Sequence, residues 1–398
     1  MAKKQKVMLS LLLMNLFIAF LGIGLVIPVL PTLMNELSIS GTVVGYLTAA
    51  FALTQLIVSP FAGKAVDRFG RKIMIVLGLF IFGFSEFLFG LGKTIEVLFI
   101  SRILGGVSAA FIMPAVTAFI VDITTIETRP KALGYMSAAI STGFIISPGI
   151  GGFLADIGIR IPFYTAGVLG VVAAILSLIL LTEPDRVEEP EEPETAGKSS
   201  LGKILMPKFL IAFLVILIAS FGLAAFESFF ALFVDHKFAF TPNDIAIAIT
   251  GGALIGALCQ VLVFDRLMKK LGEINLVRVS LLLSAVLVLA LTFVSSYWMI
   301  MLVMFTVFIG FDLIRPAVTT YLSRIAGNDQ GFVGGMNSFF TSLANVLGPI
   351  VGGIMFDIDI NYPFYFATVA ILAGLVIAIA WRDPAAKRLR NVQNKTAS

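Results

Sequence analysis

The chain has 398 residues, of which 59% are apolar and only 13% charged, against about 25% charged in a soluble domain, so a water-facing globule is excluded. Its formal charge of +4 does not point to nucleic acid, because Lys and Arg are dispersed among short polar stretches rather than gathered on one face. The single cysteine, Cys259, permits no internal disulfide and lies in an apolar run, where packing is its ordinary role.

Taken in order, apolar stretches fall near 7–32, 43–63, 73–92, 95–121, 131–155 and 162–182, then near 208–233, 244–264, 274–294, 298–322, 331–356 and 363–381. Each is long enough to cross a hydrocarbon core of about 30 Å as a helix, and none alternates as a barrel strand would. The first follows Lys3, Lys4 and Lys6 without a small-residue cleavage site, so it reads as a retained span rather than a signal peptide. The expected class is an all-α membrane protein of twelve transmembrane helices. On alternate sides, 22 Lys and Arg fall with the two termini, only Lys93, Arg160 and Lys237 fall opposite, and Arg102, Arg278 and Arg315 lie within spans. This asymmetry puts both termini in the cytoplasm.

The chain is internally duplicated. A shift of 201 positions lays Gly134–Tyr164 on Gly335–Tyr365 with 12 identities in 31, among them Pro148, Gly151, Gly152 and Asp156. Pro114-Ala115-Val116-Thr117 returns as Pro316-Ala317-Val318-Thr319, and Asp67-Arg68 with Arg71-Lys72 as Asp265-Arg266 with Lys269-Lys270. The expected organisation is a six-helix half over 1–182, a cytoplasmic acidic linker over 183–207, a second six-helix half over 208–382 and a cytoplasmic tail over 383–398. Within the linker, Gly197-Lys198-Ser199 lacks the earlier glycine and the preceding strand of a phosphate-binding loop, so ATP is not the expected fuel.

Several residues stand out against this background. Between the second and third spans comes Gly63-Lys64-Ala65-Val66-Asp67-Arg68-Phe69-Gly70-Arg71-Lys72, where glycines suit a tight turn and arginines suit bridging to carboxylates on neighbouring helices. Arg102 lies inside the fourth span, Glu227 among aromatics in the seventh, and Asp312 midway along the tenth. Such charges are costly in a bilayer and by default functional. Asp312 and Arg315, three apart, are placed to pair. Glu86 in the third span and Asp122 at the end of the fourth are weaker candidates. In the fifth span Gly143, Ser147, Pro148, Gly151 and Gly152 offer close helix approach and a kink.

The Gly63–Lys72 stretch resembles the G-x-x-x-D-R-x-G-R-[KR] loop of the major facilitator superfamily, and the Gly143–Gly152 stretch its drug/proton antiporter signature G-x-x-x-G-P-x-x-G-G, with Ser147 where glycine is usual. From Gly22-Ile23-Gly24-Leu25-Val26-Ile27-Pro28 through Gly310–Pro316 the chain resembles the Bmr/NorA-type bacterial multidrug efflux pumps of that superfamily. The resemblance implies the major facilitator fold with its two six-helix repeats. It also implies export of lipophilic, often cationic drugs and dyes, fluoroquinolones included, across the bacterial plasma membrane, with the proton gradient as energy source and no cofactor. It carries the family's paired acids onto Glu227 and Asp312, and its arginines onto Arg102 and Arg315.

The residues themselves are compatible with that expectation. A cavity walled by Phe20, Phe51, Met113, Phe144 and Phe308, with amides from Asn15, Gln55 and Asn345, would accommodate varied ligands. The expected partners are small-molecule drugs, protons and membrane lipid, with no nucleic acid, and the expected state is a monomer. An exporter of one endogenous solute, such as a polyamine or a sugar, would use the same fold. An enzyme is not expected, since the lone His236 sits in a loop and no metal or nucleophile cluster accompanies it.

Overall fold

The computed structural model describes residues 3–184, 206–326 and 329–381, and every regular element among them is a helix. In chain order these are α1 (Lys3–Leu25), a 3-10 turn (Ile27–Val29), α2 (Leu30–Leu37), α3 (Gly41–Phe69), α4 (Arg71–Leu91), α5 (Ile95–Ile123), α6 (Arg129–Ala155) and α7 (Ile161–Leu180). There follow α8 (Pro207–Phe238), α9 (Pro242–Leu271), α10 (Glu273–Phe293), α11 (Tyr297–Ala326), α12 (Gln330–Ile358) and α13 (Tyr362–Ala380). With α1 and α2 taken as one span broken at Pro28 and Pro31, 12 helices among the described residues are long and apolar enough to cross a membrane. They coincide with the twelve expected stretches, except that α8 runs on past 233 to Phe238, so His236, expected in a loop, stands on its last turn. Gly197-Lys198-Ser199 and the tail from 383 lie outside the described residues.

Helix ends differ from expectation in one instructive way. The stretch read as a loop from Gly63 is mostly helix: α3 continues through Pro60 to Phe69, so Gly63, Asp67 and Arg68 stand on its last turns. Only Gly70 turns the chain, at φ 98°, a left-handed backbone that side chains disfavour. Likewise α9 carries Asp265, Arg266, Lys269 and Lys270 on its final turns, and Gly272 turns at φ 75°. Polar residues do not end a helix; a glycine in a left-handed conformation does.

The chain forms two compact units. One comprises Met1–Pro193, Ala224–Leu254 and Asn345–Pro363; the other comprises Glu194–Leu223, Ile255–Ala344 and Phe364–Ser398. In the first unit, small residues set the helix spacing. Gly143 and Gly151 lie against the α1 backbone at Phe17 and Leu25, Gly83 meets Gly167, and Gly106 meets the α3 backbone at Phe51. The Ser108 hydroxyl donates to the Gly78 carbonyl at 2.8 Å and the Ser101 hydroxyl to the Ser85 carbonyl at 2.8 Å, tying α5 to α4. Where lipid surrounds the helices, such close packing and interhelical hydrogen bonds replace the hydrophobic drive that water gives.

The second unit uses the same devices. Gly310 packs on Ser284, Gly222 on Ile371 and Gly374 on Ile218. Phe213 stacks on Phe340 with centroids 5.4 Å apart and meets Phe332 edge-on at 6.3 Å. Arg278, within α10, donates to the carbonyls of Ala378 at 2.8 Å, Ile379 at 3.1 Å and Trp381 at 2.9 Å. It thereby satisfies the last turn of α13 with a cation, as the helix dipole favours.

Candidate functional site

In the first unit two contiguous cavities share Ile23, Phe51 and Phe144. The larger, of about 230 Å³, is walled by Val44, Leu47, Phe89 and Ala231 and carries Glu227, Arg102, Thr48 and Ser228 as its polar groups. The smaller, of about 210 Å³, is lined by Phe20, Gln55, Met113, Phe82, Ser108 and Asn345 among others. An apolar concavity with few polar groups is the usual form of a small-molecule site.

Two residues expected on its wall stand elsewhere. Asn15 is fully buried, and its amide nitrogen donates to the Ser177 hydroxyl at 2.7 Å, binding α1 to α7. Its packing role follows from a polar partner 162 residues away that no local pattern reveals. Phe308 belongs to the second unit, where Gly256 faces both it and the Asp312 carboxyl with no room for a methyl group. Asp312 is therefore seated against α9. The expected pair with Arg315 is absent: Arg315 is exposed, and among the described residues no ion pair joins the two. Three positions leave about 60° between side chains on a helix, enough to send one inward and the other out.

Arg102 has a partner that sequence reasoning ranked low. Its Nη2 lies 3.5 Å from Glu86 Oε1, and its guanidinium sits 4.1 Å above the Phe89 ring. Glu86 is 3% exposed, on the face of α4 turned to α5. Arg102 Nε and Nη2 and Glu86 Oε2 are buried yet make no hydrogen bond among the described residues. The pair is thus charge-matched but short of hydrogen bonds.

Arg71 is the opposite case. Its Nε donates to Asp122 Oδ2 at 2.8 Å, its Nη1 reaches the Val66 carbonyl at 3.5 Å and its Nη2 lies 3.5 Å from Asp67 Oδ1. The backbone amides of Arg71 and Lys72 donate to the two carboxylate oxygens of Glu183, 2.5 Å and 2.8 Å away, so Glu183 caps α4. Arg68 lies over Phe69 at 5.5 Å and is exposed. Asp122 was a weak candidate in the sequence, and Glu183 was hidden at the head of an acid-rich run.

A family model described as Major Facilitator Superfamily matches residues 12–237 and 212–397. The chain belongs to the Major Facilitator Superfamily. It is 67% identical over 384 residues to "Multidrug resistance protein 1" of Bacillus subtilis, covering 96% of this chain and 98% of that one. To "Multidrug resistance protein 2" of the same organism it is 51% identical, covering 96% of each chain. To "Quinolone resistance protein NorA" of Staphylococcus aureus it is 47% identical, covering 94% of this chain and 96% of that one. The Bmr/NorA-type likeness read from the motifs is therefore a likeness of nearly the whole chain. Among solved structures, a bacterial homolog of the human lysosomal transporter Spinster matches with TM-score 0.79 at 18% identity over 96% of both chains. The nucleoside transporter NupG matches with TM-score 0.78 at 15% identity over 95% of this chain and 98% of that one. At such identities these two speak for the major facilitator fold alone.

Within this superfamily member the Gly143–Gly152 stretch acquires a physical account. Pro148 cannot donate to the Phe144 carbonyl four residues back, and the Ser147 hydroxyl donates to that carbonyl instead, at 2.9 Å. Gly24 on α1 stands against Ser147, leaving the room that a glycine at 147 would otherwise provide. The departure from the signature thus has its complement on the facing helix.

The repeat also closes one end of the first unit. Asp357 accepts from the amides of Gly41 at 2.7 Å and Thr42 at 2.9 Å, capping α3, and Gly353 packs on the same turn. Its counterpart Asp156 accepts from Asn243 Nδ2 at 2.6 Å on the first turn of α9, where Gly152 packs. Asn35 adds a hydrogen bond to Asp235 at 3.0 Å. Both aspartates were visible in the sequence as identities of the repeat, but their partners were not.

Proposed function

We propose that the protein is a proton-driven multidrug efflux antiporter of the bacterial plasma membrane, with both termini cytoplasmic. It exports lipophilic, often cationic compounds, dyes and fluoroquinolones among them, by alternating access of its halves over 1–182 and 208–382. The observation that carries the reading is the aromatic cavity whose ionisable groups are Glu227 and Arg102. Relatives 67% and 47% identical that are named for multidrug and quinolone resistance support the substrate class. Apolar, aromatic walls accept many shapes, while a carboxylate in a water-poor site selects positive charge.

In this reading Glu227, in the cavity, holds a drug cation when ionised and releases it when a proton arrives from outside, and Asp312, within the second unit, is a further proton-exchanging carboxylate. Loss of that proton toward the cytoplasm restores negative charge for the next cation. A ligand shifts the equilibrium between two conformations only by its differential affinity, so exchange of proton for drug supplies the coupling. The experiment is uptake of several unrelated cationic dyes and a fluoroquinolone into inverted membrane vesicles with an imposed pH gradient. Gradient-dependent uptake of several chemotypes is expected, and its loss in Glu227→Gln and Asp312→Asn. Uptake of one solute only, or none that follows the gradient, contradicts the reading.

A further inference from the structure

The cavity reading assigns no role to Glu86, yet Glu86 holds the guanidinium that lines the cavity. We propose that Glu86 is the proton-accepting counter-ion that decides whether Arg102 is withdrawn from the drug cavity or released into it. The inference rests on the proposed efflux reading and adds a second carboxylate, set behind the cavity wall, to its coupling.

The geometry is that of a poised pair. Arg102 lines the cavity that holds Glu227, while Glu86 lies behind it and is 3% exposed. Their contact, at 3.5 Å, is longer than a charge-assisted hydrogen bond of about 2.7–2.9 Å, and among the described residues Arg102 Nε, Arg102 Nη2 and Glu86 Oε2 make no hydrogen bond. Removing one partner of a buried ion pair leaves the other charge uncompensated, so neutralising Glu86 forces Arg102 to find new solvation. The open volume beside it is the cavity, and the carboxylate there is Glu227. Phe89, whose ring supports the guanidinium from 4.1 Å, offers a flat surface along which it turns without losing its cation–π contact.

Other titratable groups near Glu86 are few. On α5 the acids are Glu96 and Asp122, the latter held by Arg71. On α7 Tyr164 donates to the Gly90 carbonyl, and Arg160, just before α7, donates to the Gly90 and Gly92 carbonyls and pairs with Glu36. Between residues 41 and 63 of α3 the one residue of ionisable type is Tyr46, and between residues 8 and 37 it is Glu36. Arg102 is the charge that Glu86 faces.

The proton balance is simple. A proton taken up on Glu86 Oε2 cancels its charge, Arg102 moves toward Glu227, and the drug cation loses its carboxylate to an internal cation. Release of that proton recaptures Arg102 and returns Glu227 to the drug. No covalent bond other than O–H forms or breaks.

The test is equilibrium binding of tetraphenylphosphonium to the purified full-length protein across pH 5.5–8.5, with size-exclusion profiles as a check on folding. Glu86→Gln imitates the protonated state, so binding should fall by about tenfold and its pH dependence should weaken to what Glu227 alone supplies, tenfold being 1.4 kcal/mol of lost affinity. Glu86→Asp should stay within about threefold of the wild type on the same scale. The decisive variant is Glu86→Gln with Arg102→Gln: deleting the released cation should restore binding. Wild-type binding and pH profile in Glu86→Gln overturn the inference, as does a loss that the double variant leaves unrepaired, which marks a merely structural role. If the wild type itself binds no cation, the efflux reading fails and this inference falls with it.

Discussion

Two corners of the molecule occupy repeat-equivalent positions and carry opposite charges. In the first, Arg71 opens α4 and meets Asp122 at the end of α5, 51 residues on; in the second, Glu273 opens α10 and meets Arg324 at the end of α11, again 51 residues on. Each follows a glycine turn, Gly70 or Gly272. The second pair is bidentate, with Nε to Oε1 at 3.0 Å and Nη2 to Oε2 at 2.6 Å. Duplication has kept the position of the brace but not its polarity, so the fold needs a bridge there and is indifferent to which helix brings the cation. What distinguishes the first corner is its surroundings. Arg71 is only 10% exposed in its side chain and is flanked by Asp67 and by the Glu183 cap, whereas Arg324 is 39% exposed.

That contrast yields a graded series. Arg71→Ala should be the most damaging, leaving buried Asp122 unpaired at about 3–5 kcal/mol, read as a fall in thermal stability of the detergent-solubilised protein. A loss below about 1 kcal/mol, the exposed-pair range, would mean the corner is no tighter than its echo. Asp357→Ala should cost the clasped end about 2 kcal/mol by orphaning two α3 amides. In a Cys259→Ser, Val44→Cys background this appears as faster maleimide labelling at Val44, a site only 1% exposed in the clasped form; an unchanged rate contradicts the latch. Charge reversal sharpens the comparison further. Exchanging Glu273 and Arg324 for each other should be tolerated within about 1 kcal/mol, since the pair is partly exposed and screened. The same exchange of Arg71 and Asp122 should not be tolerated, because Asp67 and Glu183 would then face a carboxylate. Smallest is Ser147→Gly, which returns the family residue but unbinds the Phe144 carbonyl, at about 1 kcal/mol.

How much of this was legible in the chain depended on whether the signal was local. The twelve spans were, because hydropathy over about 20 residues is decided by the residues themselves. Arg71 and Asp67 stood out by spacing, but Asp122 and Glu183 lie 51 and 112 positions away, and only folding brings them to Arg71. The echo at Lys269-Lys270 matched the first corner in charge and missed it in place. Its structural counterpart is Glu273, which a search for like residues passes over because the sign is reversed. Phe20, Phe51, Gln55, Met113, Phe144 and Asn345 line the smaller cavity, whereas Asn15, an amide like Gln55 and Asn345, meets Ser177. An amide does not announce whether it faces a ligand or a neighbour. Glu86 was undervalued because a carboxylate within a span has no sequence mark of the arginine that meets it.

The most direct measurement of the central claim is gradient-driven accumulation of tetraphenylphosphonium in inverted vesicles carrying Glu227→Gln, beside vesicles carrying Arg324→Ala. Glu227 stands in the cavity and Arg324 in a partly exposed brace. The account predicts that Glu227→Gln lowers accumulation by about tenfold or more, as loss of a carboxylate buried in a membrane site should, while Arg324→Ala stays near the wild type. Wild-type accumulation with unchanged pH dependence in Glu227→Gln would contradict it.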